Sequence, residues 1–465
     1  MNVALISPYA DVTGYCIRIL SSVIKQAGHK TKILFLPKAS SLEKFPPTYV
    51  NNVFSKVIGF CESADLIGIS LYSCHFPSMT KLTRKIKEQL DVPVVWGGKH
   101  PSAKPEEALQ YADMVCVGEG ETAIVEILNR MSEGKPFYDV SNFFFTVDGK
   151  LIKNPLRSLT HDLNSIPYPD YSMDEHYIWD DERQRIVPFD ETFLYKLLKK
   201  NDPQGEKLST YNTMTSLGCP YRCTYCFSFR EMYKGEKYLR FRSIDKVIDE
   251  IDTMKRKFPG IGKVLISDDN FFARTPEDIQ KFAALYKEKV RLPMHCLAFP
   301  QNVSEEKLAC MVDAGLSLLQ IGVESGSEKI KKLFQREAPN SVILNAANVI
   351  NKFAKQVEPR YDIIVDVPTQ KSEDLLDTIN LLLKFPRPYH INRFSLSIFP
   401  GTRFYEDAVR KGIKFDEHKE VETRKVTYLN LVLALFNCPA PKFIIKILVS
   451  KPVIKFLKTC RIIKD

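Results

Sequence analysis

Two series of short apolar runs, each broken by helix-compatible stretches, constrain this chain more than any other feature. In the first, residues 3–6, 31–36, 65–71, 93–96 and 113–117 read as buried strands, with helical patterns near 17–27, 77–90, 105–111 and 120–132. In the second, strand-like runs at 212–216, 264–267, 294–299, 318–323, 361–367 and 393–399 are followed by helical stretches near 243–257, 276–290, 304–314, 340–354, 371–384 and 402–411. A parallel strand has to return through a crossover, so such alternation points to parallel sheets covered by helices. The chain, 465 residues with 44% hydrophobic content, is long enough for two or three domains with full cores. Between the two series the alternation stops. Residues 143–147 and 150–153 flank Asp148-Gly149 as a hairpin would. Pro167 and Pro169 punctuate a linker, and 172–210, polar and aromatic without a clear period, is either an ordered cap or a loose loop. The expected units are 1–136, a hairpin with linker and cap at 137–210, 211–412, and a final segment at 413–465.

The chemistry is concentrated after the first strand of the second series, at Gly218-Cys219-Pro220-Tyr221-Arg222-Cys223-Thr224-Tyr225-Cys226. Eleven cysteines, an odd number scattered through the chain, form no disulfide framework, and three thiols within eight residues are best read as metal ligands. Three suit an iron–sulfur cluster that takes four, leaving one iron open to a small molecule. A structural zinc site would need a fourth Cys or His nearby, and the next cysteine is Cys296. The start of the chain has neither a basic leader nor an apolar run of signal-peptide length, so a cytoplasmic setting is expected.

The cysteine motif resembles that of the radical S-adenosylmethionine (SAM) enzymes. The resemblance implies that Cys219, Cys223 and Cys226 hold a [4Fe–4S] cluster whose open iron chelates SAM. It further implies reductive SAM cleavage to a 5′-deoxyadenosyl radical, an electron donor such as flavodoxin or ferredoxin, and a partial (β/α)6 barrel. Tyr225 would lie near the adenine, or pack beneath its loop. In the first series, Gly97-Gly98-Lys99-His100-Pro101 and Gly118-Glu119-Gly120-Glu121 stand on strand ends, where ligands of open parallel sheets bind. These runs, with Pro105-Glu106-Glu107-Ala108-Leu109 between them, resemble the cobalamin-binding domain that precedes the radical domain in one branch of the family; the alternative is a generic nucleotide-like or structural domain. The expected fold is thus α/β, an amino-terminal doubly wound, Rossmann-like parallel sheet followed by the partial barrel and a carboxy-terminal helical segment. Ser70, Gly97, Gly98, His100, Gly118, Glu119 and Gly120 are the implied cobalamin contacts. Related domains carry an axial histidine after the first strand, whereas this chain reads Asp11-Val12-Thr13-Gly14, so cobalt would lack that ligand unless His75 or His100 replaces it.

Other strand ends extend the resemblance. Asp268 and Asp269 match an acidic motif near the SAM methionine, although a helix N-cap would also explain one of them. Glu324 and Ser325 match a ribose-binding motif. Asp366 stands where relatives show a glycine-rich ending, so it contacts SAM or faces the substrate. The last 47 residues, 419–465, carry ten Lys or Arg against three Asp or Glu, most of the chain's net +10. This basic amphipathic segment either caps the barrel or lies on an anionic membrane surface; no nucleic-acid module accompanies it. The activity implied is methylation of an unactivated carbon in a small-molecule or lipid substrate. Ring-forming or rearranging enzymes share the cofactors, and a sensing module without turnover is the non-enzymatic alternative. A methylthiotransferase would carry a compact upstream cysteine set, which Cys16, Cys61, Cys74 and Cys116 do not form.

Overall fold

The computed structural model describes residues 1–9, 14–36, 42, 45–200, 202, 204–336, 338–419 and 423–463. Its first sheet contains β1 (Asn2–Ser7), β2 (Lys30–Phe35), β3 (Leu66–Ser70), β4 (Val94–Gly97), β5 (Met114–Cys116), β6 (Phe143–Val147), β7 (Lys150–Lys153), β8 (His176–Asp180) and β9 (Arg185–Pro188). They lie in the order β7-β6-β5-β4-β3-β1-β2-β8-β9. From β5 to β8 every pairing is parallel. Successive side chains of β1 serve opposite faces: Val3 and Leu5 join one core with Ile17 and Ile24, while Ala4 and Ile6 join another with Phe54 and Met79. The sheet is therefore doubly wound, as expected. Helix Pro47–Cys61 adds to the sequence reading; its Val53, Phe54, Val57, Ile58 and Cys61 form one buried face behind a proline start.

Of the hairpin, linker and cap expected over 137–210, the hairpin forms as β6–β7, and the rest contributes two further strands to the sheet. Hairpin β6–β7 extends the sheet beyond β5, while β8 pairs in parallel with β2 and antiparallel with β9. Both sheet edges thus come from this stretch. Edge strands are covered unevenly, so their sequences mix polar and apolar residues, as β9 does with one buried position in four.

The second sheet starts at β10 (Thr210–Thr213), after which β11 (Ser216–Leu217) and β12 (Arg240–Phe241) form a ribbon across the cysteine loop. It continues through β13 (Lys263–Ile266), β14 (Met294–Ala298), β15 (Leu316–Glu324), β16 (Glu358–Val365) and β17 (His390–Ser395). All pairings in β10-β13-β14-β15-β16-β17 are parallel and follow chain order, the topology of a partial barrel. Helices Tyr428–Ala434, Lys442–Leu448 and Lys451–Thr459 follow, burying Leu429, Leu433, Ile445, Ile454 and Leu457 in the barrel's core. Lys464 lies outside the described residues.

The two units meet along a polar seam. Arg240 pairs with Glu119 at 2.5 Å, and Arg242 Nη1 lies 3.3 Å from Tyr15 Oη. Lys104 reaches Glu417 at 2.6 Å, and His418 Nδ1 lies 3.1 Å from Ser73 O.

Candidate active site

Beyond β10 the chain turns into the cysteine loop, and Asp268 at the end of β13 fixes that turn. Its Oδ1 accepts from Thr215 N at 2.5 Å and Ser216 N at 3.0 Å, and Thr215 Oγ1 donates to Oδ2. Gly218 has φ +88°, and a Cβ there would lie 2.5 Å from Tyr238 O, so only glycine fits. Further on, Thr224 donates from N to Phe334 O and from Oγ1 to Leu333 O, at 3.0 and 2.8 Å.

This scaffold turns Cys219, Cys223 and Cys226 into one pocket of about 210 Å³, with Tyr225, Asp269, Glu324 and Arg336 also on its wall. Burial pushes the Cys219 thiol up to about 12 and that of Cys226 to about 11, and the neighbouring thiols add to both. Thiols gathered where their charged form is disfavoured call for a cation that deprotonates them. Among the described residues no three His, Cys, Asp or Glu side chains are grouped to hold a single ion. A cubane cluster sets a different demand, one thiolate on each of three irons around a shared space with the fourth iron left open, and the donor set fits it.

Arg336 carries no sequence signal, being an isolated arginine after the short helix Glu328–Leu333. Its guanidinium stacks 3.7 Å from the Phe299 ring centroid, Nη1 lies 3.6 Å from Cys223 Sγ, and Nη2 donates to Gly322 O at 2.5 Å. Nη2 is also 3.5 Å from Glu324 Oε1. Burial pushes Glu324 up to about 7; Arg336 pulls against that shift and Asp362 adds to it.

A second cavity, a cleft of about 340 Å³, opens between the two sheets. Ser70, Gly97, Gly98, Gly118, Glu119 and Gly120 line it from the first sheet, Ile17, Leu20 and Ile124 form an apolar wall, and Met214, Gly218 and Tyr238 face them from the barrel side. Cys226, Phe227 and Asp269 line both cavities, so the cleft and the cysteine pocket share a wall.

Several expected contacts lie elsewhere. His100 is buried off the cleft, its Nδ1 3.0 Å from Ser73 Oγ and its ring 4.5 Å from Phe76, because the helix that begins at Lys99 carries it behind the strand end. His75 packs on Tyr9 and Tyr72. No histidine is among the described residues lining the cleft; Asp11, Val12 and Thr13 lie outside the described residues. Asp268 is fully buried in its structural role. Ser325 is buried, its Oγ accepting from Ser327 N at 3.1 Å. Asp366 faces the tail, accepting from Ser395 Oγ, Lys425 N and Asn430 Nδ2 at 2.7, 3.0 and 2.9 Å. A carboxylate so fully engaged has little capacity left for a ligand.

The B12 binding domain model matches residues 1–128 and the Radical SAM superfamily model residues 213–382. The chain is a radical SAM protein with a cobalamin-binding domain. Such a protein works with a [4Fe–4S] cluster, SAM and cobalamin. Relatives of this radical SAM protein include an uncharacterized methyltransferase of Pyrococcus horikoshii, 24% identical over 86% of this chain and 80% of its own length. The bacteriochlorophyllide d C-8(2)-methyltransferase of Chlorobaculum tepidum is 22% identical over 78% of this chain and 72% of its own. In fold this chain is similar to the radical SAM methyltransferase TsrM of Kitasatospora setae, solved with tryptophan and a SAM analogue. That match has a TM-score of 0.65 and 14% identity, over 88% of this chain and 76% of TsrM.

The cleft fits cobalamin in its chemistry. It combines glycine-rich strand ends, which bring backbone to the surface, with an apolar wall that can exclude water from a large ring system.

Proposed function

We propose that this protein is a cobalamin-dependent radical SAM methyltransferase that methylates an unactivated carbon of a small-molecule or lipid substrate. The observation that carries this reading is the junction at Cys226, Phe227 and Asp269, where the cysteine pocket and the cleft share a wall. A substrate placed there faces both cofactor sites. The names of the two relatives, both methyltransferases, support the reaction class. When bound, the cluster with SAM supplies a hydrogen-abstracting radical and cobalamin supplies a transferable methyl group.

The chain's own residues divide the remaining work. Cys219, Cys223 and Cys226 hold the cluster. Tyr225, Asp269, Glu324 and Arg336 hold SAM: the Glu324 carboxylate accepts from ribose hydroxyls, and the Arg336 guanidinium, beside Cys223, offers donors to the SAM carboxylate. Ser70, Gly97, Gly98, Gly118 and Gly120 present backbone to cobalamin, while Glu119 spends its charge on Arg240 and closes the seam. A small electron carrier such as flavodoxin or ferredoxin reduces the cluster in the cytoplasm. The basic tail brings the enzyme to a membrane surface.

Anaerobic reconstitution with hydroxocobalamin, followed by product analysis with SAM and a strong reductant, tests the reading. Retained cobalamin, the cluster absorbance and 5′-deoxyadenosine are the expected outcome. Once substrate is found, methyl transfer separates this function from a cyclising or rearranging enzyme. Absence of 5′-deoxyadenosine from the cluster-loaded protein would point to the sensing alternative.

A further inference from the structure

Three cations line the cleft between the sheets, and two of them are neutralised. Arg240 pairs with Glu119 at 2.5 Å and donates to Thr160 O at 2.7 Å, and Arg242 pairs with Glu250 at 2.5 Å. The third, Lys99, is exposed to the cleft and makes no ion pair among the described residues. Its Nζ lies 5.4 Å from the Tyr72 ring centroid and 5.9 Å from that of Phe227, one ring from each unit. Two ring faces steady an ammonium without cancelling its charge. That charge reaches the junction of the cavities, where it pulls down the Asp269 carboxyl against the upward push of burial.

We propose that Lys99 receives an anionic group of the substrate, a carboxylate or a phosphate, and so holds the substrate at the junction of the two cofactor sites. The proposal rests on the reading of this protein as a two-cofactor enzyme. Position separates it from two other anions. The SAM carboxylate has Arg336 beside Cys223, in a pocket that Lys99 does not line. The cobalamin phosphate belongs to the nucleotide tail of that cofactor, whereas Lys99 sits by Phe227, at the wall shared with the cluster pocket.

Paramagnetic relaxation in the holoenzyme tests it, with the cluster reduced, cobalamin bound and SAM replaced by an uncleavable analogue. Inorganic phosphate, read by phosphorus resonance, and acetate, read by its methyl protons, are the two probes; the one whose enhancement saturates at lower concentration assigns phosphate or carboxylate. Expected is saturable enhancement in the unaltered protein, about tenfold or more weaker binding in Lys99→Met, and retention in Lys99→Arg. No saturable enhancement by either probe, or equal binding by Lys99→Met, would overturn the proposal. Cobalamin released from Lys99→Met, or weaker binding of the SAM analogue by it, would assign the ammonium to that cofactor and equally overturn it. Failure of the unaltered protein to hold cluster or cobalamin would strike the two-cofactor reading instead, and is scored before any probe is added.

Discussion

A carboxyl that titrates near neutrality inside a binding pocket couples ligand affinity to pH, and Glu324 is such a group. With its pKa raised to about 7, the folded protein keeps a proton that the unfolded chain releases near 4.5. The contribution of Glu324 to stability is therefore fully present below 4.5 and is lost as pH rises through 7. Binding runs the other way, because an ionised carboxylate is the stronger acceptor for a ribose diol. SAM affinity of the cluster-loaded protein should rise several-fold between about pH 6 and pH 8, a gain of about 1 kcal/mol. Glu324→Gln should flatten that profile. Arg336→Met removes the cation that opposes the shift, so the rise should move to higher pH as well as start from weaker binding. Equilibrium dialysis at fixed ionic strength measures all three, and a flat profile in the unaltered protein would remove the ribose role. The difference in legibility between these residues is physical. Cys219, Cys223 and Cys226 are near neighbours in sequence, so their spacing alone carries the ligand set. Arg336 reaches the same pocket across more than a hundred residues, and only folding reveals it.

Strand ends were legible because hydrophobic runs fix where strands stop; the contacts their loops make were not. Gly118 shows why. Its place in a glycine-rich loop suggests room for a ligand, yet a Cβ there would collide with the Tyr233 hydroxyl, and its φ is +82°. The same hydroxyl accepts from Glu119 N at 3.1 Å, so this loop also forms the seam between the units. Gly118→Ala should therefore reduce cobalamin retention while leaving the cluster absorbance in place. Tyr233→Ala in the same chain should recover part of the loss. The left-handed backbone would still cost about 1–2 kcal/mol for any residue with a side chain. A double-mutant cycle read by cobalamin stoichiometry checks this, and strictly additive losses would mean that the two side chains do not meet. One edge of the first sheet, formed by β8 and β9, escaped the sequence for a related reason, whereas the opposite edge, β6–β7, was legible as a hairpin. Strands such as β8 and β9 owe their pairing to partners distant in the chain, and periodicity within a short segment cannot supply that.

At the scale of the whole molecule, charge and exposed apolar surface coincide in the tail. Residues 423–463 contain no Asp or Glu, and Lys446, Lys451, Lys455 and Arg461 are exposed. Of twelve large apolar side chains exposed on the described surface, seven lie here: Val426, Leu431, Phe443, Ile444, Ile447, Phe456 and Ile462. Both sequence readings of the tail bear on this surface, since one face packs on the barrel and the residues turned outward are apolar and basic. Among the described residues no helix is long and apolar enough to cross a membrane, but an interfacial helix needs only an apolar face and cations. The intact protein should pellet with vesicles containing anionic lipid and be released by salt, since each basic residue near such a surface is worth about 1 kcal/mol. Truncation is a poor test, because Ile445, Ile454 and Leu457 are buried and their removal would uncover the barrel's core. Replacing Phe443 and Phe456 by Ser tests the apolar contribution, and reversing Lys446, Lys451 and Lys455 to Glu tests the charge. Circular dichroism and cluster absorbance report whether the fold survives. Either set should abolish pelleting. Equal pelleting with purely zwitterionic vesicles, or none by the intact protein, would show that the outward face of the tail serves something other than an anionic membrane.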